Sequence, residues 1–108
     1  MKIRKFNISV KIGPRNPERI EMHVTEKEYD KDAFYSELTY NDREFYAFIN
    51  NETDFEVCET NSNRTVITGR YRNGQWIATD EDAYYGGNFT RKGNNIYQVI
   101  LSLLGLSY

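Results

Sequence analysis

Phe6, Ile8, Val10 and Ile12 alternate with Lys5, Asn7, Ser9 and Lys11, a strict period of two. Only an extended chain sends successive side chains to opposite faces, so this stretch predicts a strand with one buried face and one wet face. Gly13-Pro14-Arg15-Asn16-Pro17 interrupts the pattern, and Ile20, Met22 and Val24 resume it. Two strands joined as an antiparallel hairpin over a wide loop follow from that spacing.

Further hairpins come after it. Phe34 to Tyr40, then Asn41-Asp42, then Arg43 to Ile49 fits a two-residue turn that pairs Leu38 with Phe45, Ser36 with Ala47 and Phe34 with Ile49. Thr25-Glu26-Lys27-Glu28 has the form of a capping box, so residues 26–40 are open to a helical or an extended reading. We favour strand from about Ala33, with at most a helical turn near 26–31. Phe55 to Thr60, Thr65 to Tyr71 and residues 75–79 read as further strands. Asn73-Gly74 tolerates the positive φ of a type I′ turn at both central positions, which sets Tyr71 opposite Trp76.

Only the end of the chain reads as helix. Asn95 is placed to cap it, Ile96, Val99, Ile100, Leu103 and Leu104 form one apolar stripe, and Gly105 is a natural stop. Tyr97 and Leu101 widen the apolar surface past one stripe, so the helix should be pinned between the sheet and a second element. The expected architecture is one α+β domain over residues 1–108: a strongly twisted antiparallel sheet of about six to seven strands with a single C-terminal helix packed on it.

Composition narrows the function classes. The chain has 108 residues and one cysteine, Cys58, so it forms no internal disulfide, and a reducing, cytoplasmic setting is expected. Residues after Met1 form no continuous apolar leader, and the longest apolar run, Val99 to Leu106, is too short to span a bilayer. Charge is strongly segregated. Residues 1–19 carry six cations against Glu18, whereas residues 20–60 carry twelve acids against Lys27, Lys31 and Arg43.

No catalytic motif survives inspection. Asp80 to Gly93 includes Gly86-Gly87 followed by Arg91 and Lys92, yet the spacing fits neither a phosphate loop nor a calcium loop. A connector into the helix is the better reading, with Arg91 and Lys92 offering generic anion contacts near the helix N-terminus. His23 alternates away from the apolar set, and Cys58 is flanked by Glu56 and Glu59, an acidic setting that disfavours a reactive thiolate. One histidine and one cysteine cannot complete a tetrahedral metal site. No cofactor is expected.

Aromatic placement carries the functional expectation. On the hairpin of residues 34–49, Phe34, Leu38, Phe45 and Ile49 take one face, and Tyr35, Tyr46 and Phe48 take the other beside Glu37 and Glu44. A second apolar face must be covered by the helix, by another copy of the chain or by a partner. Acids among these rings argue against nucleic acid. The expectation is a non-catalytic interaction module, a regulator, adaptor or inhibitor, that binds a protein partner or its own copy as a homodimer. It would use a strand edge or this aromatic, acidic face. The alternative is a small-molecule or carbohydrate-binding domain that uses tyrosines and Trp76.

Overall fold

The computed structural model describes residues 2–11, 19–81 and 89–107. Eight strands follow one another in chain order: β1 (Ile3–Lys11), β2 (Arg19–Asp30), β3 (Ala33–Tyr40), β4 (Arg43–Asn50), β5 (Asp54–Glu59), β6 (Thr65–Arg72), β7 (Gln75–Asp80) and β8 (Thr90–Gly93). Each pairs antiparallel with the next, so the sheet is a pure meander curled into a half-barrel. One helix, α1 (Ile96–Ser107), ends the described chain. The loop of residues 13–17 and the Gly86-Gly87 pair lie outside the described residues.

Turn chemistry sets the register. Asn41 and Asp42 take φ of 52° and 63°, and Asn73 and Gly74 take 52° and 79°, so both two-residue turns follow the right-handed twist of their strands. Leu38 faces Phe45, Ser36 faces Ala47, Phe34 faces Ile49 and Tyr71 faces Trp76, as the alternation requires.

Three expectations need correction. The strand count is eight, because Thr90–Gly93 pairs with β7 instead of serving as a connector. Its short, charged sequence lacks apolar alternation because it is an edge, where cations discourage further pairing. Residues 26–30 form no helical turn, since β2 continues to Asp30 with Glu26 between Arg4 of β1 and Ser36 of β3. The turn falls later, where the Asp32 backbone N–H donates to Asp30 Oδ1 at 2.7 Å. Gly105 does not stop the helix, which runs to Ser107. A Cβ there would stand 2.5 Å from Ile20 Cδ1, so this glycine permits close packing of α1 on β2.

The curl of the sheet explains why the helix is apolar on more than one stripe. It lies in the concave face against β1, β2, β7 and β8, and Tyr97, Val99, Ile100, Leu101, Leu103 and Leu104 are all buried there. The second covering element is the same sheet wrapping round. Asn95 Oδ1 accepts the Tyr97 and Gln98 backbone N–H groups at 3.0 and 3.2 Å, a side-chain N-cap.

Gly69 gives a direct test of concave-face packing. The Phe55 ring lies across it, and an added Cβ would come within 2.1 Å of Phe55 Cε1. Gly69→Ala is expected to destabilise the fold by about 1–3 kcal/mol through overpacking. Adding Phe55→Leu should recover part of that loss, because the two changes share one contact. Urea melts of the two single variants and the double variant check it; strict additivity would refute the contact.

Candidate functional site

Directly paired residues on neighbouring strands share a face, so the pairing traces which side chains line the outside of the half-barrel. One outer row runs Lys27, Tyr35, Phe48, Glu56, Thr68, Thr79 and Thr90 across β2 to β8. The adjacent row runs Lys5, Thr25, Glu37, Tyr46 and Cys58. Threonines cover the outside of β6–β8, as expected for a wet sheet surface, whereas rings cover the outside of β3–β4. The aromatic residues are therefore local and not a property of the whole face.

Those rings form one cluster. Tyr35 and Tyr46 stack with centroids 6.1 Å apart, Phe48 stands 5.3 Å from Tyr35, and it meets Tyr46 edge-on at 5.8 Å. The helix lies on the opposite face and leaves them open: Phe48 keeps 49% of its surface exposed, and both tyrosines are half-buried. The cluster is held in place by its edges. Tyr46 donates its hydroxyl to Asn63 Oδ1 at 3.0 Å, and the Lys27 ammonium lies 5.8 Å over the Tyr35 ring while bonding Glu37 at 2.8 Å. Its hydrogen bond to Glu37 holds Lys27 above the usual lysine range.

Acids rim the cluster: Glu37 on β3, Glu44 on β4 and Glu56 on β5, with Lys27 the cation touching it. Glu37 and Glu44 are exposed; Glu56 accepts from the Thr65 hydroxyl and lies 3.5 Å from the Cys58 sulfur. Cys58 is buried, and loss of hydration pushes its thiol above the ordinary cysteine range. His23 is exposed and bonds Asn7. Two strands lie between His23 and Cys58, a separation of about 14 Å at ordinary strand spacing, so they form no catalytic couple. Among the described residues no group of three or more His, Cys, Asp or Glu is placed to hold a metal.

The remaining candidates fall elsewhere. Trp76 is only 7% exposed and sits on the concave face, edge-on to Phe55 at 5.6 Å and to Tyr71 at 5.1 Å. Arg91 and Lys92 diverge: Arg91 shares the concave face with Ala78, beside Ser102 and Leu106 late in the helix, while Lys92 pairs with Ile77 on the outer face. Arg91 thus lies toward the end of the helix and not at its start. Both open edges of the sheet are basic, β1 through Arg4, Lys5 and Lys11, with Lys2 just before it, and β8 through Arg91 and Lys92. Such edges repel one another, which disfavours closure of the half-barrel by strand pairing.

One concave feature was not legible in the sequence. Where α1 begins, the helix does not fill the half-barrel, and a cleft of about 490 Å³ opens between its first turn and the near ends of β1–β4. Glu26 lies at its side, almost fully buried, with Oε1 accepting from Arg4 Nε at 3.0 Å and Nη2 at 2.6 Å and Oε2 accepting from the Tyr97 hydroxyl. Residues 4, 26 and 97 are too far apart in sequence for periodicity to unite them. No helix among the described residues is long and apolar enough to cross a membrane. Compared with protein-family models, with curated proteins and with solved structures, the chain gives no match.

Proposed function

We propose that the chain is a non-catalytic interaction module that docks a basic protein segment on the outer face of β3–β4. The observation that supports this reading most is the Tyr35–Tyr46–Phe48 cluster, packed ring to ring on the side away from the helix. Its rim supplies the complement: Glu37, Glu44 and Glu56 favour a partner that brings Arg or Lys. Lys27, over Tyr35 and tied to Glu37, is a cation held within the chain between a ring face and a carboxylate, a contact of the kind proposed for the partner. Rigid aromatic anchors with a charged rim are the usual composition of a binding centre.

Selection of peptides displayed on phage against the immobilised protein tests the reading. Enriched sequences should combine basic and aromatic residues, and Tyr35→Ala or Tyr46→Ala should weaken a synthetic winner about ten-fold. Raising the salt should weaken it further, because exposed charge pairs are screened. Enrichment of acidic peptides, or binding indifferent to both tyrosine substitutions, would refute it.

A further inference from the structure

The cleft at the start of α1 is a second site, on the face opposite the aromatic cluster and independent of it. Phe6, Phe34, Ile49, Trp76 and Ile96 give it apolar walls, and Asn51, Asn94 and Asn95 contribute amides. Its volume of about 490 Å³ lies within the range of small-molecule pockets, and it is a solvent-open cleft whose mainly apolar walls carry a few polar groups. Glu26 and Arg4, paired on β2 and β1, neutralise each other at its side. Arg4 uses Nε and Nη2 on that carboxylate and lies over the Phe6 ring at 5.2 Å, its Nη1 end makes no hydrogen bond among the described residues, and the side chain is two-thirds exposed.

From this the geometry points to a binding site for a small uncharged or anionic molecule with an apolar ring or branched alkyl body and one hydroxyl, carbonyl or carboxylate group. The body fills the space between Phe34, Ile49 and Ile96, and the oxygen accepts from the open end of Arg4 or from an asparagine amide. Charge selection follows from the ion pair. A cationic head meets the Arg4 guanidinium and finds no free carboxylate, because Arg4 and Tyr97 already hold Glu26, and it loses hydration without compensation; a neutral or anionic oxygen meets the open guanidinium end instead.

Trp76 is the only tryptophan and stands in the cleft wall, so its emission reports occupancy. The test titrates three matched probes, para-tert-butylbenzyl alcohol, para-tert-butylbenzoate and para-tert-butylbenzylamine. The alcohol and the benzoate should each give a saturable change with Kd of about 1 mM or tighter, and the amine should bind about ten-fold or more weakly than either. Ile96→Arg, which puts a cation at the half-buried rim, should abolish the alcohol response, and Tyr35→Ala on the outer face should leave it intact. Amide shift mapping on the unaltered chain should confine the alcohol's effects to residues near 34, 49–51 and 94–97, which keeps the test valid should Ile96→Arg fold poorly. An equal response to all three probes, no saturation, or shifts centred on Tyr35 and Phe48 would overturn the assignment.

Discussion

Phe45→Ala is expected to remove about 3–5 kcal/mol of stability, whereas Phe48→Ala, three residues along the same strand, should cost less than about 1 kcal/mol. The residue types are identical and the local backbone is the same; only the face differs. Phe45 is 1% exposed on the concave side, where its loss leaves a cavity that a sheet paired on both sides cannot collapse around. Phe48 is half in water and gives up little beyond its edge contacts with Tyr35 and Tyr46. Since a small domain holds only about 5–15 kcal/mol in total, the first variant should unfold at a far lower urea concentration, and the second should melt close to the parent. The same Phe48→Ala protein should lose about ten-fold in affinity for a basic, aromatic peptide selected on the parent. A residue that matters to binding and not to folding is what an interaction surface requires. If Phe48→Ala unfolds as readily as Phe45→Ala, the outer rings serve the fold and the docking proposal fails.

Much of that contrast was legible from alternation alone. Period two in residues 5–12 and 20–24, with turn residues at 41–42 and 73–74, specifies which faces meet, because a slip by one would turn Leu38, Phe45 and Ile49 outward. What alternation could not give was curvature. A flat sheet predicts that a helix covers one face and leaves the sides of the helix bare; the half-barrel wraps β1, β2, β7 and β8 around α1, and so buries Tyr97 and Leu101 without a second element. β8 escaped notice for a related reason, since an edge strand carrying Arg91 and Lys92 has no buried face to write into its sequence. The capping-box pattern at Thr25–Glu28 misled because Glu26 is not an N-terminal helical residue but the acceptor for Arg4 and Tyr97, two partners brought to it only by the finished fold.

That buried cluster yields the second large effect. The Tyr97 hydroxyl donates to Glu26 Oε2 and lies 2.7 Å from the Ser36 hydroxyl, with Tyr97 and Ser36 both buried and Glu26 nearly so. Burial, reinforced by the bond to Glu26, raises the Tyr97 hydroxyl well above the ordinary tyrosine range. In the unfolded chain the same group ionises near pH 10, at about the reference value. Below that pH both states hold the proton and the stabilisation is fully present. Above it the unfolded state releases the proton while the native state keeps it, so stability falls as pH rises, by up to about 1.4 kcal/mol per pH unit for this one group. Tyr97→Phe should therefore lower stability at pH 7 by about 1.5–3 kcal/mol, because a buried carboxylate loses a donor, and should also flatten the alkaline decline. Tyr46 and Cys58, whose protons are likewise held above their ordinary ranges, remain in both proteins and cancel in the difference. Urea midpoints from neutral pH to about pH 11 should give two curves that converge as pH rises. Parallel curves would mean that the Tyr97 proton is held no more tightly in the native fold than in the open chain, and that the Arg4–Glu26–Tyr97 linkage does not tie β1 and β2 to the helix.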